Sequence, residues 1–363
     1  MRNFAFILIL LSAVVVMPGC QKEKNSVPTA DEQINTMGDL RVNVAEFNQE
    51  RHLALVETNK ARLEALGMGS QRDCMETVYV PADYPTIQEA VDWACDYGDI
   101  MVSEGTYDED VYIYKPGLNI SAQGEVILNG GFYLDEFADE TKIKGFVIYV
   151  DPDLGFPSGI ESMNAVSLDI KSNTITGGYH GMLLWNTNNS KIMKNYVHDG
   201  DWGVLIATAS PDAAANGNKV MNNTVTGVTA ASGIGFQGDC DYNLIQGNHV
   251  TDCPMFSNAG IFFYSYLEVY CNNNTVRNNI SSRNGISAAY GGFGMHGSGQ
   301  DNFIGPNNIF NENTQAGILV QSGTSNNHFF KNEVLNNFDC DIKDQSGGMN
   351  TYDKNTYDNF CEE

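Results

Sequence analysis

The chain has 363 residues, of which 45 are acidic and 20 basic, for a net charge of −25. That excess of negative charge excludes a nucleic-acid ligand and an acidic membrane surface. It admits an anionic polysaccharide only through bridging cations or a local strip of basic side chains.

The chain opens with Arg2, an apolar stretch from Phe4 to Val16, then Met17-Pro18-Gly19-Cys20. The stretch is too short to cross a bilayer and reads as an export signal. A small residue before a cysteine at the end of such a segment resembles a bacterial lipoprotein signal. The resemblance implies removal of residues 1–20, a lipid on Cys20 and an anchor in the bacterial cell envelope. Gln21-Lys22-Glu23-Lys24 resembles the charged export tags of surface lipoproteins in some Gram-negative groups. Residues 21–75 read as a polar tether plus a helix. In that helix, over 43–66, Val44, Phe47, Leu55, Val56, Leu63 and Leu66 are apolar and Gly67 is the stop. Its place, on the end of the domain or as a stalk, is open.

From residue 76 the pattern changes. Val78-Tyr-Val80 predicts a strand, and a helix follows from Pro85-Thr86, with Ile87, Ala90, Val91 and Ala94 on one face. Short apolar runs come next at Gly98–Val102, Gly105–Ile113 and Leu118–Ile120. From Asn173 onward one phrase recurs, Asn-x-Val/Ile/Tyr, with its asparagine at 173, 195, 223, 248, 278, 307, 332 and 355. A second apolar column stands five residues before the apolar residue that closes most of these phrases, at Ile170, Ile192, Val220, Ile245, Ile304, Phe329 and Tyr352. Gly-led apolar runs form a third, at Gly181, Gly203, Gly233, Gly260, Gly292 and Gly317. Three runs of four or five residues per 22–30, parted by Gly, Asn and Asp, predict three short strands with tight corners. Strands that short bury a face only by stacking on their copies about 4.8 Å away.

The expected fold is therefore all-β: a single-stranded right-handed parallel β-helix over 76–363, of roughly 9–11 coils, with a short N-terminal capping helix. Its asparagines should sit at corners in left-handed conformation and bond to their copies one turn on. The repeat resembles the pectate-lyase-like right-handed β-helix proteins, especially the NosD-like repeats, over about residues 76–360. That resemblance implies fold more than activity, since this architecture carries lyases, hydrolases, epimerases and non-enzymes. The NosD-like repeats further imply periplasmic metal-cofactor maturation, to which the scattered Met, His and Cys of this chain lend little weight.

Eight cysteines in an exported chain predict disulfides. Cys240 and Cys271 each precede an asparagine, Asn243 and Asn274, by three residues, so they should stack one turn apart and bond. Cys74–Cys95 and Cys340–Cys361 are the expected staples at the two ends, which leaves Cys253 over. No Cys/His spacing marks a zinc site.

The Gly-led runs align into an outward column of Trp185, Ala207, Gln237, Tyr264, His296 and Gln321, with Tyr179-His180 and Asp201-Trp202 before the glycines and Tyr290 nearby. Aromatic faces among amides and carboxylates suit sugar rings. Trp185, Trp202, Gln237 and Tyr264 are thus the expected substrate contacts, against the plainer reading that large residues merely shield the sheet. Asp201, Asp239 and His296 are the candidates for acid and base. A β-eliminating lyase would draw its base from Lys191, Lys194, Lys219 or Arg277 and use calcium on Asp199, Asp201, Asp239 and Asp241. No polygalacturonase, pectin methylesterase or alginate epimerase motif is complete. Lys191 and Lys219 fall at equivalent positions in successive turns, with Lys194, Arg277 and Lys331 beside corner asparagines: a basic strip, or ordinary solvated positions. The expected function is an exported polysaccharide lyase or glycoside hydrolase, acting as a monomer. The alternative is a non-catalytic β-helix lipoprotein that binds glycan or protein.

Overall fold

The computed structural model describes residues 74–151, 157–255, 258–265, 268–286 and 291–362, with Ala54, Glu57, Thr58 and Ala61 before them. Those four residues are helical and exposed. The export signal, Cys20 and the rest of the helix expected over 43–66 lie outside the described residues, as does Tyr290. Residues 42–363 group as one compact unit.

The chain winds as a right-handed parallel β-helix of about eleven turns. A typical turn supplies a Gly-led strand (His180–Trp185), a second strand (Lys191–Met193) and a third (Tyr196–His198). Each pairs in parallel with its counterpart one turn on: Trp202–Ala207, Lys219–Met221 and Thr224–Thr226. The Gly-led strands stack into an 11-stranded wall, and the other two stacks merge into a 17-stranded sheet, here called the Asn wall. They merge because the first turns use long strands, Ala94–Asp108, Asn119–Asn129 and Lys142–Val150, that run through the corner unbroken. Gly124 and Gly145, at φ 101° and 86°, sit where the pairing slips at that corner, a conformation that a Cβ disfavours.

At the first turn a strand, Met75–Val80, precedes helix α1, Ile87–Trp93. Thr86 caps α1 by accepting the Glu89 N–H at 3.1 Å, and Ile87, Ala90 and Val91 bury against the first strands. Period-two alternation fills the interior. Ile170, Ile192, Val220, Ile245, Ile304 and Phe329 are all fully buried, each contributing about 1.5–3 kcal/mol. Phe236, Phe263 and Phe293 stack edge to face through the centre at 5.5 Å.

The corner asparagines form a buried ladder, with one register correction. Its rungs are Asn173, Asn195, Asn223, Asn248, Asn279, Asn308, Asn332 and Asn355; Oδ1 of Asn195, Asn223, Asn248, Asn279, Asn308 and Asn355 accepts the backbone N–H of the rung before, and Asn332 Oδ1 accepts from Asn308 Nδ2. In the Asn278-Asn279 and Asn307-Asn308 doublets the second residue is the rung; the phrase pointed to the first. The reason is packing: Ser281 and Phe310, not Ile280 and Ile309, take the inward position. The left-handed residue also differs from expectation. It is the one before each rung, as in Ser172, Lys194, Asn222, Asn278 and Lys331, with φ between 51° and 56°.

Disulfides join Cys74 to Cys95 and Cys340 to Cys361. The expected Cys240–Cys271 bond is not formed. Both are buried free thiols, as is Cys253. The two thiols neighbour one another without a covalent bond: Cys240 Sγ donates to Gln237 O at 3.3 Å and Cys271 Sγ lies 3.5 Å from Gly238 O. Burial pushes the Cys240 thiol well above its ordinary range.

Candidate functional site

The outward column of the Gly-led wall holds its register: Trp185 pairs with Ala207, Ala207 with Gln237, Gln237 with Tyr264 and Tyr264 with His296. Tyr264 and His296 stack at 4.8 Å, and His180 lies 6.0 Å from Trp202. What is missing is access. Trp185, Trp202, Gln237 and Tyr264 are all less than a tenth exposed, so no sugar ring reaches their faces. His180 is wholly buried, hydrogen-bonded with Ser158 Oγ at 3.4 Å, and desolvation pushes its pKa down to about 3.

Asp201, Asp239 and His296 are not brought together. Asp201 precedes the strand Trp202–Ala207 and accepts from Thr229 Oγ1 at 2.8 Å. Asp239 and His296 lie at the opposite edge, after Gln237 and at the end of Gly291–His296. A strand of this length puts about 20 Å between the edges, and the two turns between Asp239 and His296 put them about 10 Å apart along the axis. Asp239 and Asp241 both have raised pKa values, chiefly from desolvation, and each is hydrogen-bonded into the corner by Asn216 or Asn272. Asp199 binds His198 at 2.7 Å. Among the described residues no three His, Cys, Asp or Glu side chains converge, and the calcium set expected at Asp199, Asp201, Asp239 and Asp241 is dispersed.

The Asn wall carries a different site. Strands here follow the pattern out-in-out, so Lys142-Ile-Lys144, Asp169-Ile-Lys171, Lys191-Ile-Met193 and Lys219-Val-Met221 present their flanking residues outward. Pairing aligns Lys142, Asp169, Lys191 and Lys219 in one row, and Lys144, Lys171, Met193 and Met221 in the next. Five ammonium groups therefore share four successive strands, roughly 15 Å along the axis. Lys171 pairs with Asp169 at 3.0 Å. Among the described residues Lys142, Lys144, Lys191 and Lys219 are exposed and hold no ion pair, and Lys191 stands directly beside Lys219. Like charges side by side on a sheet are unfavourable. At the head of the strip a cleft of about 330 Å³ is lined by Tyr97, Glu140, Lys142, Asp169 and Lys191. The Tyr97 ring is 63% exposed and lies across Gly117, where a Cβ would come within 2.1 Å of it.

Lys142, Lys144, Lys171 and Tyr97 escaped the sequence reading because the asparagine phrase begins at Asn173, after them. The alternation Lys-Ile-Lys followed 27 residues later by Asp-Ile-Lys was the available signal. Lys194 and Arg277 stay on the same wall, Arg277 Nε bonding Gln246 at 2.8 Å, while Lys331 lies over Phe330 several turns away. A larger recess, about 510 Å³, is lined by Asp108, Glu109, Asp110 and Asp151 and repels a polyanion.

A family model described as periplasmic copper-binding protein (NosD) matches residues 119–361. No curated protein matches the chain. The chain is similar in structure to the A-module of mannuronan C-5 epimerase AlgE4 of Azotobacter vinelandii, at 13% identity over 73% of this chain and 88% of that one, TM-score 0.47. PfbA, a surface adhesin of Streptococcus pneumoniae, aligns at 12% identity over 76% and 86%, TM-score 0.50. The Dettilon tailspike protein aligns at 16% over 78% of this chain and 62% of its own, TM-score 0.52. At these identities the likeness shows the fold alone.

Proposed function

We propose that this chain, which belongs to the NosD family, holds an acidic polysaccharide on the Asn wall without turning it over. The observation that carries this is the row Lys142, Lys191, Lys219 with Lys144 beside it, exposed cations on a protein of net charge −25, and the half-buried Lys171 on the strand between. A polyuronate bears one carboxylate per sugar ring, and a ladder of ammonium groups one strand apart answers such a series. Tyr97 offers an aromatic face for a ring at the end of the row. Binding is preferred to catalysis because Asp201, Asp239 and His296 lie apart. The envelope location implied by a periplasmic family supports a glycan partner, and the anchor on Cys20 remains part of this proposal.

Copper, named in the family description, finds no convergent set of donors among the described residues. It takes imidazole, thiolate and thioether ligands. His180 is buried and held neutral, the Cys240 and Cys271 thiols lie in the core, and Met193 and Met221 are flanked by Lys171 and Gln246.

Affinity electrophoresis in gels containing polygalacturonate, alginate or neutral glucan tests the proposal. Retardation by the acidic polymers alone, lost in Lys191→Glu/Lys219→Glu, is the expected result. Equal retardation by neutral glucan, or an unaffected variant, defeats it. Unsaturated products absorbing in the ultraviolet would turn the reading to a lyase.

A further inference from the structure

The outward row that carries Lys142, Lys191 and Lys219 does not stop there. Strand pairing continues it through Leu244 and Thr275 to Phe303, His328 and Thr351. Leu244 and Thr275, which bridge the gap, are half-buried and carry no charge. Three rings gather at the far end, with Phe330 beside the row. Phe303 lies 5.5 Å from His328 and 6.2 Å from Phe330, and His328 lies 5.6 Å from Phe330. All three are half-buried on the outer face rather than packed inside.

Two ammonium groups converge on these rings. Lys331 and Lys354 are exposed copies one turn apart, each left-handed just before a ladder asparagine, and their Nζ atoms lie 5.1 Å and 5.7 Å from the Phe330 ring centre. An aromatic face attracts a cation without neutralising it, and two like charges one strand apart leave room for an anion. The nearby carboxylates are engaged elsewhere: Asp353 holds His328 Nε2 at 3.0 Å, and Glu333 accepts from Asn311 Nδ2 at 2.6 Å. Beside the lysines a cleft of about 320 Å³ is lined by Asn307, Lys331, Glu333, Lys354 and Thr356.

We propose that this cluster is a far subsite on the Asn wall for the same polyuronate: Phe303 and His328 take the apolar C–H face of a uronate ring, and Lys331 and Lys354 take its carboxylate. The proposal rests on the reading that the lysine row binds an acidic polysaccharide, and it supplies the other end of the track. Phe303 is three strands past Lys219, about 14 Å along the axis, and His328 is seven strands past Lys142, about 34 Å. The ligand is therefore a polymer lying along the axis, not a mono- or disaccharide. With five ammonium groups against two, the row holds the chain. The far subsite adds affinity only in an oligomer that reaches both.

The test is titration of the full chain with dodecagalacturonate, long enough to cover both ends of the track, and with trigalacturonate, which covers one. Lys331→Asn/Lys354→Asn removes the two charges at a corner position where Asn222, Asn278 and Asn307 already stand in the same conformation. Phe303→Thr removes the ring and repeats its neighbour in the row, Thr275. The expected result is a dodecamer affinity lower by about tenfold in the lysine variant and about threefold in the phenylalanine variant, with trimer affinity unchanged in both. Dodecamer affinity equal to wild type in both variants overturns the inference, leaves the lysine row standing and makes the rings a mere shield for the sheet. A trimer weakened as much as the dodecamer overturns it too, because the short ligand would then sit at the cluster itself. The row is read separately: full trimer affinity in Lys191→Glu/Lys219→Glu refutes the row and, with it, the track.

Discussion

Asn248→Ala tests the stacking of turns at a single rung. The side chain is fully buried and makes four bonds. Its Oδ1 accepts the Asn223 amide N–H at 2.9 Å and Asn223 Nδ2 at 3.0 Å; its Nδ2 donates to Val220 O at 2.8 Å and Asn279 Oδ1 at 3.0 Å. Two partners keep other bonds: Asn223 Nδ2 still reaches Ile192 O, and Asn279 Oδ1 still accepts the Asn248 amide. The Asn223 amide is left stranded, at about 1–3 kcal/mol, and with the other lost bonds the cost reaches about 3–5 kcal/mol. Its neighbour Asn222 is exposed at φ 56°, so Asn222→Ala loses only about 1 kcal/mol, through backbone strain. Urea unfolding of both variants measures the difference, and hydrogen exchange should show protection lost at the Asn223 amide. If Asn248→Ala costs no more than Asn222→Ala, the ladder is not what holds the turns.

Replacing Lys219 by Glu should stabilise the fold by about 0.2–1 kcal/mol while weakening polyuronate binding, because it exchanges a like-charge neighbour of Lys191 for an opposite one and its other neighbour in the row, Leu244, is neutral. A drop in melting temperature in that variant would count against the row as drawn. His180 stays neutral when folded, with a pKa near 3 against 6.5 when unfolded, so the unfolded chain takes up the extra proton as pH falls between those values. Stability should therefore fall by up to about 1.4 kcal/mol per pH unit below 6.5, and His180→Phe should remove that slope; equal slopes in both proteins refute it. In the chain from residue 21 onward, a thiol reagent should find no reactive cysteine in the native state and three in urea, from Cys240, Cys253 and Cys271; native reactivity would mean the core is open. Cutting either end disulfide, each closing a 21-residue separation, should cost about 3 kcal/mol in the same unfolding assay.

The fold was legible because a solenoid writes its contacts into the sequence as a period. Ile170, Ile192 and Val220 stand where the spacing put them, and so does the Trp185-to-His296 column. The errors came where identity and position parted. At Asn278-Asn279 two candidates stood side by side, and only Ser281, an unusual inward residue whose Oγ bonds Gly292 O at 2.7 Å, reveals which one is the rung. Cys240 and Cys271 share a repeat position as expected, but a repeat fixes neighbours and not side-chain direction, and both thiols turn to backbone carbonyls. The aromatic column was read as a groove because alternation shows which way a residue points, not what lies over it. The lysine strip was half seen, at Lys191 and Lys219, because the upstream strands that complete it lack the phrase that aligned the rest.

Titration of an oligogalacturonate into the protein at rising sodium chloride addresses the lysine row most directly. The account requires an affinity that falls steadily between 20 mM and 500 mM salt, about the range over which the Debye length shrinks below the lysine spacing. It also requires that Lys191→Glu/Lys219→Glu abolish the heat of binding at low salt. Binding that is indifferent to salt, or intact in that double variant, would contradict it.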